Sequence, residues 1–163
     1  MRFQKNLPFS TLSVVSLVCA LLAGCGRDLS GSYSGSQTMP PTSTMALVTP
    51  SNVTNNVALA LTSGSNNGVS GNWSSPTESG KLSATQTNDG LSNVSLTVAP
   101  NSSGTSDLLP LSDCSATYSG NLSATAGGTT TQLTGTLALS TSAANGSMLN
   151  CPATRSLTVT KSN

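Results

Sequence analysis

The chain of 163 residues contains no histidine, and only 7% of its residues are charged. Without imidazole, acid–base chemistry near neutral pH falls to carboxylates or lysines. A zinc site loses its commonest nitrogen ligand. Aromatics are as scarce, at 3%. Phe3 and Phe9 both lie near the amino terminus, so the body of the chain has only Tyr33, Trp73 and Tyr118. A core built from this sequence must be Leu, Val and Ala. Scarcity of charge also excludes two broad classes. Beyond residue 24, Arg27, Lys81, Arg155 and Lys161 stand against Asp28, Glu78, Asp89, Asp107 and Asp113. This near-balance offers no basic face to steer the chain toward nucleic acid. It also lacks the high net charge typical of disordered chains.

What is present begins with "MRFQKN", where Arg2 and Lys5 are unopposed by any acid. An uncharged run, Leu7 to Gly24, follows and ends at Cys25. A positive head and an apolar stretch closing on small residues form the pattern of a secretory leader. The stretch is short for a bilayer-crossing helix, which needs roughly 20 predominantly apolar residues. An uncleaved signal anchor and an ordinary leader cysteine are the competing readings.

Leu22-Ala23-Gly24-Cys25 resembles the lipobox of bacterial lipoproteins at all four positions. The resemblance covers residues 1–25 only. It implies a diacylglyceryl thioether on Cys25, cleavage between Gly24 and Cys25, and acylation of the new amino terminus, commonly by palmitate. Each buried methylene contributes about 0.8 kcal/mol, so two or three chains hold a domain stably at a bilayer. Gly26, where some lipoproteins carry a retaining Asp, implies the outer membrane. The expected division is a signal peptide over 1–24, then a lipidated Ser/Gly/Pro-rich tether over 25–43 that could include a first strand at 29–37, and a β-domain over 44–163.

Two cysteines remain, Cys114 and Cys151. In an exported chain an even pair reads as one disulfide. Closing that loop would stabilise by about 4 kcal/mol in the chain-entropy picture. Paired zinc-ligand spacing is missing, so no metal and no cofactor is expected.

From residue 53 onward, apolar residues alternate with Ser and Thr. Val57, Leu59 and Leu61 share one face, as do Leu82 and Ala84, and Val94, Leu96 and Val98. Tyr118, Leu122 and Ala124 follow, then Leu133, Leu137 and Leu139, then Leu157 and Val159. Period-two alternation predicts half-buried antiparallel strands. Asn66-Asn67-Gly68, Asn88-Asp89-Gly90, Gly127-Gly128 and Asn145-Gly146 separate the runs with residues that tolerate positive φ, the chemistry of tight hairpins. The expectation is all-β, with about eight strands in an antiparallel up-and-down barrel or meander after a leader helix. A two-layer sandwich is the alternative. "GKLSAT" at 80–85 recurs as "GNLSAT" at 120–125, an echo of convergent hairpins or of duplication.

Candidate chemistry is thin. Glu78 with Lys81 reads as a solvated pair before a strand, Asp107 and Asp113 share a Gly/Ser-rich loop, and Lys81 or Lys161 could in principle assist a serine. The Asn-x-Ser/Thr triplets are close to what chance gives in a chain this rich in Asn, Ser and Thr. Trp73, with Tyr33 or Tyr118, could form the rim of a pocket or pack the core. The expected function is therefore a lipid-anchored envelope protein with a non-catalytic binding or structural module. Its partners would be the membrane, through its lipid, and an envelope macromolecule or glycan. A lipocalin-like carrier of a small apolar molecule and a carboxylate-dependent hydrolase are the alternatives.

Overall fold

The computed structural model describes residues 27–41, 51–101, 115–127, 130–142 and 151–162. The leader, Cys25, Asp107, Asp113, Cys114, Gly128 and the Asn145-Gly146 turn lie outside them. Eight strands run in chain order: β1 (Gly31–Met39), β2 (Val53–Ser63), β3 (Gly68–Ser74), β4 (Glu78–Thr87), β5 (Gly90–Pro100), β6 (Ala116–Gly127), β7 (Thr130–Ser142) and β8 (Thr154–Lys161). Each pairs antiparallel with the next, and β8 returns to pair with β1, closing a barrel. Closure removes every sheet edge, and it excludes the sandwich.

The first strand considered at 29–37 is present as a barrel strand, with bounds Gly31–Met39. Leu29 is fully buried and β1 opens at Gly31, so the β-domain starts well before residue 44. The alternation read from sequence is the alternation of the wall. Val57, Leu59 and Leu61 point inward, as do Leu82, Leu96, Leu122, Leu133, Leu137, Leu157 and Val159, all within one buried cluster. Both copies of the "G-x-LSAT" echo sit in strands, β4 and β6, where Leu82 and Leu122 are buried equivalents.

The regular alternation breaks once in β5, where Leu91 and Val94 are both buried. A bulge accounts for this. The β5–β6 register shifts between Leu91 and Val94, and Asn93 takes a positive φ of 51°. The Asn93 amide donates to Asn121 Oδ1 at 3.1 Å, so the extra residue leaves no orphaned N–H. Without the bulge, one of the two apolar side chains would face water.

The two ends of the barrel differ. At one end the connections are tight. Gly64 N–H donates to Gly68 O at 2.7 Å around Asn66 and Asn67, both at positive φ. Asn88-Asp89 turns β4 into β5, helped by Gly90 at φ 142°. At the other end lie the connections 40–52, 101–115 and 143–153, with the short Ser75-Pro76-Thr77 link.

Candidate functional site

A polar cluster lies inside the barrel near the long-connection end. Arg155 opens β8 at 0% exposure, and Glu78 opens β4 at 2%. In a ring of eight strands these two stand opposite each other, so the arginine side chain crosses the lumen. Its Nη1 donates to Glu78 Oε2 at 2.6 Å and its Nη2 to Glu78 Oε1 at 2.7 Å, a two-pronged pair. Nη1 also donates to Gln37 Oε1 of β1 at 3.0 Å. The guanidinium lies 4.4 Å from the centre of the Tyr118 ring on β6, within cation–π range. Burial works against the charged guanidinium, but hydrogen bonding and attraction to Glu78 outweigh it, and Arg155 is held above its ordinary value.

This geometry corrects the reading of Glu78. Glu78 and Lys81 fall on opposite faces of β4, because an offset of three crosses a period of two. Lys81 is exposed on the outer wall, while Glu78 is buried against an arginine 77 positions away. Arg155 and Gln37 were not foreseen as site residues. The signal was present in phase alone. Gln37 continues Tyr33 and Gly35, Glu78 precedes Gly80 and Leu82, and Arg155 precedes Leu157 and Val159. An acid and a base, each in register with an inward face, are candidates for pairing inside the barrel.

Trp73, Tyr33 and Tyr118 are all buried, at 2%, 1% and 0% exposure. Trp73 on β3 stands beside Leu59 and Gly80 in the register. Tyr33 belongs to the opposite end, where its hydroxyl donates to Leu29 O at 2.8 Å. Trp73 Nε1, Gln37 Nε2 and Arg155 Nε have no hydrogen-bond acceptor among the described residues. Cys151 is half-buried against the core, and its expected partner Cys114 lies outside the described residues.

The arrangement limits chemistry. Both Glu78 oxygens accept from Arg155, so this carboxylate is held in a buried ion pair rather than presented to solvent. Asp28 and Asp89 are exposed at the tight-turn end, remote from Glu78. No cluster of three or more potential metal ligands occurs among the described residues.

The outer wall is of opposite character to the lumen. Outward positions are mostly Ser, Thr, Asn and Ala, with Gln132 beside Thr160, and among the described strand residues Lys81 alone brings a charge to it. Hydroxyls pair across strands: Thr38 with Thr54 at 3.2 Å, Thr97 with Thr117 at 3.1 Å, and Thr136 with Ser156 at 3.0 Å. Asn72, Lys81 and Thr97 border an outer groove of about 530 Å³. No known family model, curated protein or solved structure matches this chain.

Proposed function

We propose that the protein is a lipid-anchored cell-envelope lipoprotein whose barrel is a non-catalytic structural or binding module. Cys25 carries the lipid, the leader before it is removed, and the outer membrane is the expected location. The observation that carries this reading is the join between leader and barrel. Leu29, four positions after Cys25, is already a fully buried barrel residue. Cutting between Gly24 and Cys25 thus takes nothing from the described fold, and the remaining chain enters the barrel almost at once.

Three features support a module rather than an enzyme or a carrier. The buried carboxylate is fully engaged by Arg155. The lumen is crossed at that level by a side chain and lined elsewhere by closely buried Leu and Val. The outer wall, rich in hydroxyls and poor in charge, suits a neutral polar partner such as a glycan. It is also the reverse of a membrane-spanning barrel, which turns an apolar band outward.

The test is the intact mass of protein extracted from membranes, wild type beside Cys25→Ser. The wild type is expected to begin at Cys25, to carry the diacylglyceryl and acyl masses, and to weigh two hydrogens less than a fully reduced chain because of a Cys114–Cys151 bond. Cys25→Ser should carry no lipid. A wild-type chain beginning at Met1, or a bare thiol at position 25, rejects the proposal.

A further inference from the structure

Residues 27–30 do not trail from the barrel; they are strapped across its tight-turn mouth. Leu29 is the plug, at 0% exposure. Gln86 near the end of β4 receives the Leu29 amide at 3.4 Å and donates Nε2 to Arg27 O at 2.8 Å. Ser63 at the end of β2 donates to Asp28 Oδ1 at 3.2 Å, and Lys161 at the end of β8 donates to Asp28 O at 3.4 Å. The Tyr33 hydroxyl of β1 reaches Leu29 O from below. Four strands therefore grip three residues, Arg27, Asp28 and Leu29. Hydrogen bonds from Ser30 foremost, with Ser63 and the charge of Lys161, hold the Asp28 carboxyl below its ordinary value.

We propose that this strap orients the barrel, so that the tight-turn end rests on the phospholipid headgroup layer and the long-connection end faces away from the bilayer. The inference rests on the lipidated Cys25 proposed above. From Cys25 to Leu29 an extended chain reaches at most about 14 Å. The barrel itself is longer. Strands of about ten residues rising about 3.3 Å each, tilted at about 40°, make a wall of roughly 25 Å. A tether this short, fixed to one rim by four strands, cannot let the far rim reach the surface. The rim that meets the lipid carries the exposed side chains of Asn66, Asn67, Asn88 and Asp89, beside Arg27, Asp28 and Lys161. Amide donors and balanced charges suit a zwitterionic or mildly anionic headgroup layer. The Arg155–Glu78 end is thereby turned toward whatever lies beyond the membrane surface.

The experiment uses ¹⁵N-labelled, membrane-extracted protein in phospholipid nanodiscs doped with a gadolinium-chelating lipid, its intact mass measured first. Amides of Asn66, Asn67, Asp89 and Gly90 should lose intensity to the paramagnetic surface, while those of Thr77, Glu78 and Asn101 keep theirs, with a gradient along every strand. An acylated sample that loses intensity equally at both ends, or preferentially at Thr77 and Asn101, overturns the orientation alone. A sample with no acyl mass removes the anchoring reading and this inference with it.

Discussion

Arg155 and Glu78 are the only oppositely charged side chains that meet inside the barrel among the described residues, and their energetics differ from those of surface pairs. Removing one partner leaves a charge in a place water does not reach, which typically costs 3–5 kcal/mol, whereas replacing both with apolar groups of similar volume is often neutral. Glu78→Gln and Arg155→Met should each destabilise the barrel by about 3–5 kcal/mol in denaturant unfolding. The double replacement Glu78→Leu with Arg155→Met should cost much less than the two single losses combined. Additive losses would show that the two side chains act independently. Tyr118 lies against the same guanidinium, so loss of Arg155 also removes that cation–π contact.

At the scale of elements, the barrel depends on places where a side chain is missing. Gly90 adopts φ 142°, and a Cβ there would run into the Leu122 carbonyl of β6. It also closes the Asn88-Asp89 turn, where the Thr87 hydroxyl donates to Gly90 O at 3.2 Å. Gly90→Ala therefore combines an unfavourable backbone angle with a steric clash, each of order 1–3 kcal/mol. It should lower the unfolding midpoint far more than Ala at Gly64, whose φ of −114° is ordinary and whose Cβ would have room beyond one contact at 3.3 Å. Equal effects at the two sites would reject this account. The β5 bulge belongs to the same scale. Its asparagine could be seen as turn-prone, but the phase change it produces was legible only from Leu91 and Val94 lying three apart.

For the molecule as a whole, closure of β8 on β1 joins residues more than a hundred positions apart, as in Arg155 to Gln37. The lumen forms only when that seam does, so the buried groups should respond to unfolding together. Tyr33 and Tyr118 report this. Burial raises both hydroxyls above the ordinary value of 10.0. A folded-state pKa raised in this way favours the neutral, folded form, so stability is intact below pH about 10 and is lost as pH rises beyond it. In an alkaline titration, phenolate absorbance should stay absent past that pH and then appear for both tyrosines in one step with loss of β-sheet circular dichroism. Ionisation of either tyrosine in a still-folded barrel would contradict a sealed lumen.

Alternation of Leu, Val and Ala with Ser and Thr determined which faces point inward, and Asn- and Gly-containing turns determined where successive strands reverse. Both are local properties, set by the two-residue repeat of a strand and by the few residues that accept positive φ. The meander and an approximate number of strands, about eight, were therefore readable from the chain alone, while the place of 29–37 was not. Closure into a barrel, the docking of residues 27–30 and the meeting of Glu78 with Arg155 were decided by tertiary structure. A partner across a lumen depends on how many strands complete the ring and how they are staggered. Alternation within a single strand carries no record of either.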